Sequence, residues 1–181
     1  MQGSIYTSFS EMVIENMGMS VWNELLSVVK PPSEGVYTKA MQYDDSEIMA
    51  FISALSTMTK IEASVLVRDF GEYLFIHLYH NSPASLSHVD NLQDFLFCID
   101  DVIHKEVKRI YPKAYLPTFE FTKADNGDVV MFYQSKRKLC YLCEGLITGA
   151  AKHFNQLVTI AHPECMHHGA DKCKLVISFE E

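Results

Sequence analysis

The sequence predicts an α+β fold: an amino-terminal helical subdomain, then a carboxy-terminal antiparallel sheet with a long helix packed on it. Three observations carry that expectation. Apolar residues recur at helical spacing from the amino terminus to about Ile110. Beyond Pro117 the period shortens, and Asn126-Gly127 marks a hairpin turn. Two more alternating segments, at 156–162 and 172–179, follow a helical stretch at 139–154. A length of 181 residues suits one domain with two parts, about 1–60 and about 61–181.

In order, residues 4–17 carry Ile5, Phe9, Met12 and Val13 on one helical face, and Gly18 interrupts. Ser20 is the expected N-cap of a second helix over 20–29, and residues 30–35, with Pro31 and Pro32, read as a loop. Asp44, Asp45 and Glu47 open a third helix through Ser56, with Ile48, Phe51, Ile52 and Leu55 inward. A fourth spans 61–79, with Val65, Phe70, Leu74 and Leu78 along its faces and Gly71 costing it about 1 kcal/mol relative to alanine. The polar run 82–91, with Pro83, leads to a helix that begins between Val89 and Gln93 and ends near Ile110.

That helix carries His104. Ile99, Val102, Ile103 and Ile110 form its apolar stripe, while Phe97, Val107 and Tyr111 share the edge on which His104 lies. Taken alone, the histidine reads as a half-buried core residue with hydrogen-bonded ring nitrogens. Pro112 and Pro117 stiffen the exit from the helix, because the residue before each proline is pushed toward extended conformations. A rigid Pro117 would press on whatever the histidine holds. After the turn at 124–128 a strand returns over 129–137, and its pleat would aim Tyr133, Ser135 and Arg137 at one face. Such a row of donors suits a carboxylate or a phosphate, although a solvated edge strand has the same pattern. On the helix over 139–154, Gly145 and Gly149 permit close approach of a backbone or a ligand.

With 15 basic and 23 acidic residues the formal charge is −8, so there is no basic field to neutralise a nucleic acid. No apolar run reaches membrane-spanning length, and the amino terminus lacks the features of a signal peptide. The expected location is therefore the cytoplasm, with protein and small-molecule partners. Structural disulfides are uncommon there, so the five cysteines point to metal or redox chemistry. Cys140, His162, Cys165 and Cys173 are the ligand types of a tetrahedral zinc site, and the expected elements gather them at one end of the sheet. Unligated buried cysteines are the alternative. His167 or His168 would substitute for His162, and Cys143 reads as a core residue.

Several pieces stand together in order: Ile103-His104-Lys105-Glu106-Val107, then Tyr111-Pro112 through Leu116-Pro117-Thr118-Phe119, then Tyr133 to Arg137, then Glu144-Gly145-Leu146 through His153-Phe154. With these motifs, and with Met19 to Leu25 near the start, the whole chain resembles the haem nitric oxide/oxygen-binding (H-NOX) family. The resemblance implies that His104 is the axial ligand of a haem b iron, that Tyr133, Ser135 and Arg137 hold the propionates, and that Pro117 packs on the haem and bends it. In oxygen-binding relatives a tyrosine on the following helix donates to the bound gas. Here that position is Leu142, with Tyr141 beside it about 100° round the helix. Ile5, Phe9, Leu142 and Leu146 would then form an apolar distal wall favouring nitric oxide over oxygen. Some bacterial members look similar around the cysteines and bind zinc there.

The resemblance thus implies a sensor and not an enzyme. Nitric oxide would bind distally, the bond from iron to His104 would weaken or break, and the change of shape would act on a separate effector. A histidine kinase or a diguanylate cyclase or phosphodiesterase is the expected partner, since 181 residues leave no room for one. Two other readings stand beside it. One is a redox sensor built on the zinc cysteines; the other, less favoured, is a haem enzyme, which would need polar distal acid–base groups.

Overall fold

Helical periodicity is realised first, in α1 (Gly3–Met17), α2 (Met19–Val29), α3 (Asp45–Thr59) and α4 (Ala63–His80). The computed structural model describes residues 1–80, 86 and 88–180, so the connection expected at 82–91, Pro83 included, lies largely outside the described residues. Gly18, at φ 91°, closes α1 and caps α2, and Ser20 makes no capping bond inside the first turn of α2. The cap expected of Ser20 is therefore supplied by a glycine, whose positive φ lets the chain reverse without a break. Asp44 does cap α3, accepting from the Ser46 N–H at 2.8 Å. On α4 the buried face is Leu66, Val67, Phe70, Leu74 and Phe75, so of the apolar residues expected along its faces Phe70 and Leu74 are buried while Val65 and Leu78 are exposed.

The helix bearing His104 is not one regular helix. It runs as α5 (Leu92–Cys98), a π-helical turn (Ile99–His104) and α6 (Lys105–Ile110). A π turn inserts extra chain into the helix, so side chains beyond it swing away from their ideal wheel positions by up to about 100°. Ile110, expected in the apolar stripe, is accordingly 54% exposed, and α6 buries no residue.

A four-stranded antiparallel sheet follows, formed by β1 (Thr118–Lys123), β2 (Val129–Gln134), β3 (Val158–Glu164) and β4 (Cys173–Phe179) in the order β1-β2-β4-β3. In the hairpin only Gly127 takes a positive φ, at 91°, with its N–H on Ala124 O at 3.0 Å. The reversal is thus a loop over 124–128 and not the two-residue turn that Asn-Gly favours. β2 stops at Gln134, opposite the point where β4 begins, so Ser135 and Arg137 lie in a turn closed by Lys138 N–H on Ser135 O. The single pleated row expected of Tyr133, Ser135 and Arg137 is therefore bent after its first member. β3 runs through Pro163 and is irregular between Ala161 and Glu164, as a strand lacking one donor must be, and it sits at the sheet edge.

The long helix α7 (Cys140–His153) links β2 to β3 and packs across α4. Glycines set that crossing: a Cβ on Gly145 would lie 1.9 Å from Arg68 O, and one on Gly71 would lie 2.3 Å from Leu142 O. Two hydrophobic clusters result. One gathers Tyr6, Phe9, Trp22, Phe51 and Phe70 from the first helices, and the other gathers Phe95, Met131, Tyr133, Ile147 and Leu175 around the sheet. α4 contributes to both, with Leu74 in the first and Phe75 in the second.

Candidate functional site

His104 closes the π turn, and its Nδ1 lies 2.6 Å from Asp100 Oδ1. An ionised carboxylate only accepts, so Nδ1 carries the hydrogen and Nε2 keeps a lone pair. Asp100 Oδ2 also accepts from the Phe119 N–H at 3.3 Å, and the imidazole stacks on Phe119 with centroids 5.4 Å apart. Burial pushes the His104 pKa down, and Asp100 only partly opposes it, so the ring is neutral at neutral pH. A neutral imidazole with one nitrogen tied to a carboxylate and the other open is the usual form of a metal-ligating histidine. Asp100 escapes a reading of the sequence that looks only for apolar spacing; its position four residues before His104 is the one local signal. Pro117 is half-buried immediately before β1.

Of the three expected donors, Tyr133 lies near the end of β2 and Ser135 and Arg137 in the turn beyond it. Tyr133 is buried, its hydroxyl accepts from the Leu139 N–H at 3.0 Å, and burial pushes its pKa up against a hydrogen bond from Ser135. Ser135, also buried, accepts from the Arg137 N–H at 3.2 Å. The Arg137 guanidinium donates to both oxygens of Asp45, through Nε and Nη2, and to Tyr115 O through Nη1 at 2.6 Å. It stands at a cleft of about 430 Å³ lined by Met1, Asp45, Met49, Tyr115, Lys136, Arg137 and Leu139, which joins the helical part to the sheet part.

In the cluster of the first helices, Phe9 is fully buried and meets Phe70 edge-on at 5.2 Å, while Ile5, Leu142 and Leu146 pack half-buried on it. Tyr141 turns its ring to Arg68, at 5.4 Å, and stacks on His167, also at 5.4 Å.

A second constellation is tighter than its sequence spacing suggests. Single ligand atoms of Cys140, His162, Cys165 and Cys173 all lie within 4.8 Å of one another, with the Cys140 and Cys165 sulfurs 3.8 Å apart. A tetrahedron with metal–sulfur bonds of about 2.3 Å has an edge of about 3.8 Å. Burial pushes the Cys140 and Cys173 thiols up. Thiolates in such a place require a cation. His162 Nε2 is buried with no hydrogen-bond partner, while Nδ1 lies 2.6 Å from Glu144 Oε1. His167 instead bonds Lys138 O, His168 is exposed, and Cys143 lies in the core without being one of the four donors that meet. Glu144 and its partner Arg68 were not legible in the sequence, because 76 residues separate them.

A family model described as Haem-NO-binding matches residues 2–162. The chain belongs to that family. Its structure is similar to that of an H-NOX protein from S. oneidensis in the Fe(II)NO state, with a TM-score of 0.93, 35% identity and 100% of both chains covered. An unliganded Fe(II) H-NOX protein from K. algicida is similar at a TM-score of 0.90 and 29% identity, over 100% of this chain and 97% of that one. Among curated relatives, Soluble guanylate cyclase 89Db of Drosophila melanogaster is 27% identical over 90% of this chain, and Soluble guanylate cyclase gcy-32 of Caenorhabditis elegans is 23% identical over 84%. This chain spans about a quarter of the length of those relatives, 24% and 23%.

H-NOX domains are haem-binding gas sensors related to soluble guanylate cyclase, and they sense and do not catalyse. The residues of this chain fit the group. His104 offers an oriented nitrogen, Tyr133, Ser135 and Arg137 carry hydroxyl and guanidinium groups of the kind that bind carboxylates, the guanidinium already pairing with that of Asp45, and Ile5, Phe9, Leu142 and Leu146 belong to one apolar cluster. Among the described residues no single helix is long and apolar enough to cross a membrane.

Proposed function

We propose that this chain is a haem-based nitric oxide sensor, with His104 as the axial ligand of haem b and with Tyr133, Ser135 and Arg137 anchoring its propionates. The observation that carries the reading is the His104 ring, whose Nδ1 is committed to Asp100 while Nε2 stays available. Haem held by His104 would supply a ferrous iron able to take nitric oxide, and the gas would be felt by this chain through the hold on His104. His104 is then held by Asp100 and Phe119, and the π turn beneath it is free to tighten toward an ordinary helix. Pro117, half-buried immediately before β1, would be the rigid part of this chain set against the cofactor. Ile5, Phe9, Leu142 and Leu146 carry no hydrogen-bond donor in their side chains, which supports selection of nitric oxide over oxygen. The shift of the His104 helix against the distal helices acts on a separate cytoplasmic effector, a histidine kinase or a diguanylate cyclase or phosphodiesterase.

Zinc on Cys140, His162, Cys165 and Cys173 belongs to the same proposal, supported by the orphaned Nε2 and the buried thiols. A second reading is favoured by the 3.8 Å between the Cys140 and Cys165 sulfurs: loss of the metal under a peroxide would bring a disulfide within reach, making the cluster a redox input. Zinc retained with all thiols free after peroxide would remove that reading.

The principal test is the absorption spectrum of the ferrous protein, first in air and then with nitric oxide. The expected result is no stable oxygen complex and a five-coordinate nitrosyl spectrum. His104→Gly should hold haem only with added imidazole. A stable oxygen complex, or an unchanged ferrous spectrum in His104→Gly, would overturn the assignment.

A further inference from the structure

The Cys140, His162, Cys165 and Cys173 cluster does not end at its four donors. His162 Nδ1 lies 2.6 Å from Glu144 Oε1, and the other carboxylate oxygen of Glu144 receives Arg68 Nε and Nη2, each at 2.7 Å. The three residues come from three elements, His162 from β3, Glu144 from α7 and Arg68 from α4. Glu144 is buried to 6% exposure, whereas the Arg68 side chain is 39% exposed and carries the Tyr141 ring against its guanidinium.

The hydrogen bonds dictate the tautomer. Arg68 donates to one oxygen of Glu144 and leaves the other as an acceptor for Nδ1–H, which places the lone pair of His162 on Nε2. That atom is buried and unpartnered, and one ring nitrogen of His162 lies within 4.8 Å of the sulfurs of three buried cysteines. A bare ion pair between α4 and α7 would account for Arg68 and Glu144 but would leave no reason for the imidazole to be held with its acceptor turned toward thiols.

We infer that Glu144 and Arg68 are the positioning residues of the metal site: Glu144 fixes the ring of His162 so that Nε2 faces the three thiols, and Arg68 anchors the Glu144 carboxylate from the surface of α4. This rests on the reading of the cluster as a zinc site. Outer partners of this kind set the orientation and basicity of a ligating histidine, and their loss typically costs 10–100-fold in metal affinity.

The test is zinc competition against a chromogenic chelator on the full chain, comparing Glu144→Ala and Arg68→Met in the wild-type and His162→Ala backgrounds. In the wild-type background Glu144→Ala should weaken zinc binding about 10–100-fold, with Arg68→Met weakening it less. In the His162→Ala background neither should weaken it further, because the effect passes through the imidazole. Should Glu144→Ala fail to fold, Glu144→Gln keeps an acceptor for Nδ1–H and is expected to lose less than tenfold, again only where His162 is present. Equal losses in both backgrounds, or no loss in either, would overturn the inference while leaving the zinc site standing. A wild-type chain that takes up no zinc, with all its thiols free, would overturn the zinc reading and this inference together.

Discussion

At the scale of single residues, one device occurs twice in this protein. His104 and His162 each hold Nδ1 at 2.6 Å from a carboxylate oxygen, Asp100 in one case and Glu144 in the other. Each is thereby left with one directed nitrogen, which is what a ligand to a metal requires. The carboxylates differ in their second bond: Asp100 ties the histidine to the start of β1 through the Phe119 N–H, and Glu144 ties it to α4 through Arg68. Asp100→Ala should therefore free the His104 ring to rotate and lose its preferred tautomer. The expected outcome is haem retention lowered about 10–100-fold, measured as transfer of haem to an excess of an apo-globin, with Asp100→Asn falling between Ala and wild type. Equal retention in all three proteins would show that the ring is oriented by Phe119 and its helix alone.

At the scale of elements, the crossing of α4 and α7 decides where both sites stand, since α7 carries Leu142, Leu146, Cys140 and Glu144 while α4 carries Arg68 and Phe70. Gly145→Ala would place a Cβ 1.9 Å from Arg68 O, a backbone atom that no rotamer change can move away. Overpacking of this kind costs about 1–3 kcal/mol, more than the roughly 1 kcal/mol that alanine returns in helix propensity. A lower urea midpoint with an unchanged slope is expected, and an unmoved midpoint would mean the helices part freely. Periodicity made α1 to α4, α7 and the strands legible because each buries one face at a regular spacing. It missed the π turn, since the extra residue there leaves composition unaltered and shows itself only in where Ile110 points. It also ran β2 three residues too far, because the strand is ended by its partner β4 at Cys173 and not by anything in Ser135, Lys136 or Arg137. The four donors of the cysteine cluster were readable as a set of ligand types, but Glu144 and Arg68 meet only through the helix crossing.

Over the whole molecule, the two hydrophobic clusters are joined by the shared helix α4 and, at the cleft, by a polar bridge. Asp45 on α3 accepts from Arg137 beyond β2 and pairs with the Met1 ammonium at 2.7 Å. Burial raises the Asp45 pKa, but Arg137 and the amino terminus together outweigh that and leave it below its ordinary 3.8. A carboxylate whose pKa is depressed on folding contributes stability that is fully present above the unfolded value and is lost as pH falls through the folded one. Asp45→Asn should therefore be less stable than wild type at pH 7. The side chain is 37% exposed, so solvent screening limits the difference to on the order of 1 kcal/mol. The gap should start to close as pH drops past 3.8 and vanish once Asp45 is protonated in the folded protein. Urea midpoints of the two proteins, followed downward from pH 7, measure it, and midpoints that stay parallel through pH 3 would show that the bridge adds nothing to the union of the two parts. High salt at pH 7 should shrink the same gap, because a bridge at the mouth of a cleft is only partly shielded from the solvent ions that screen it.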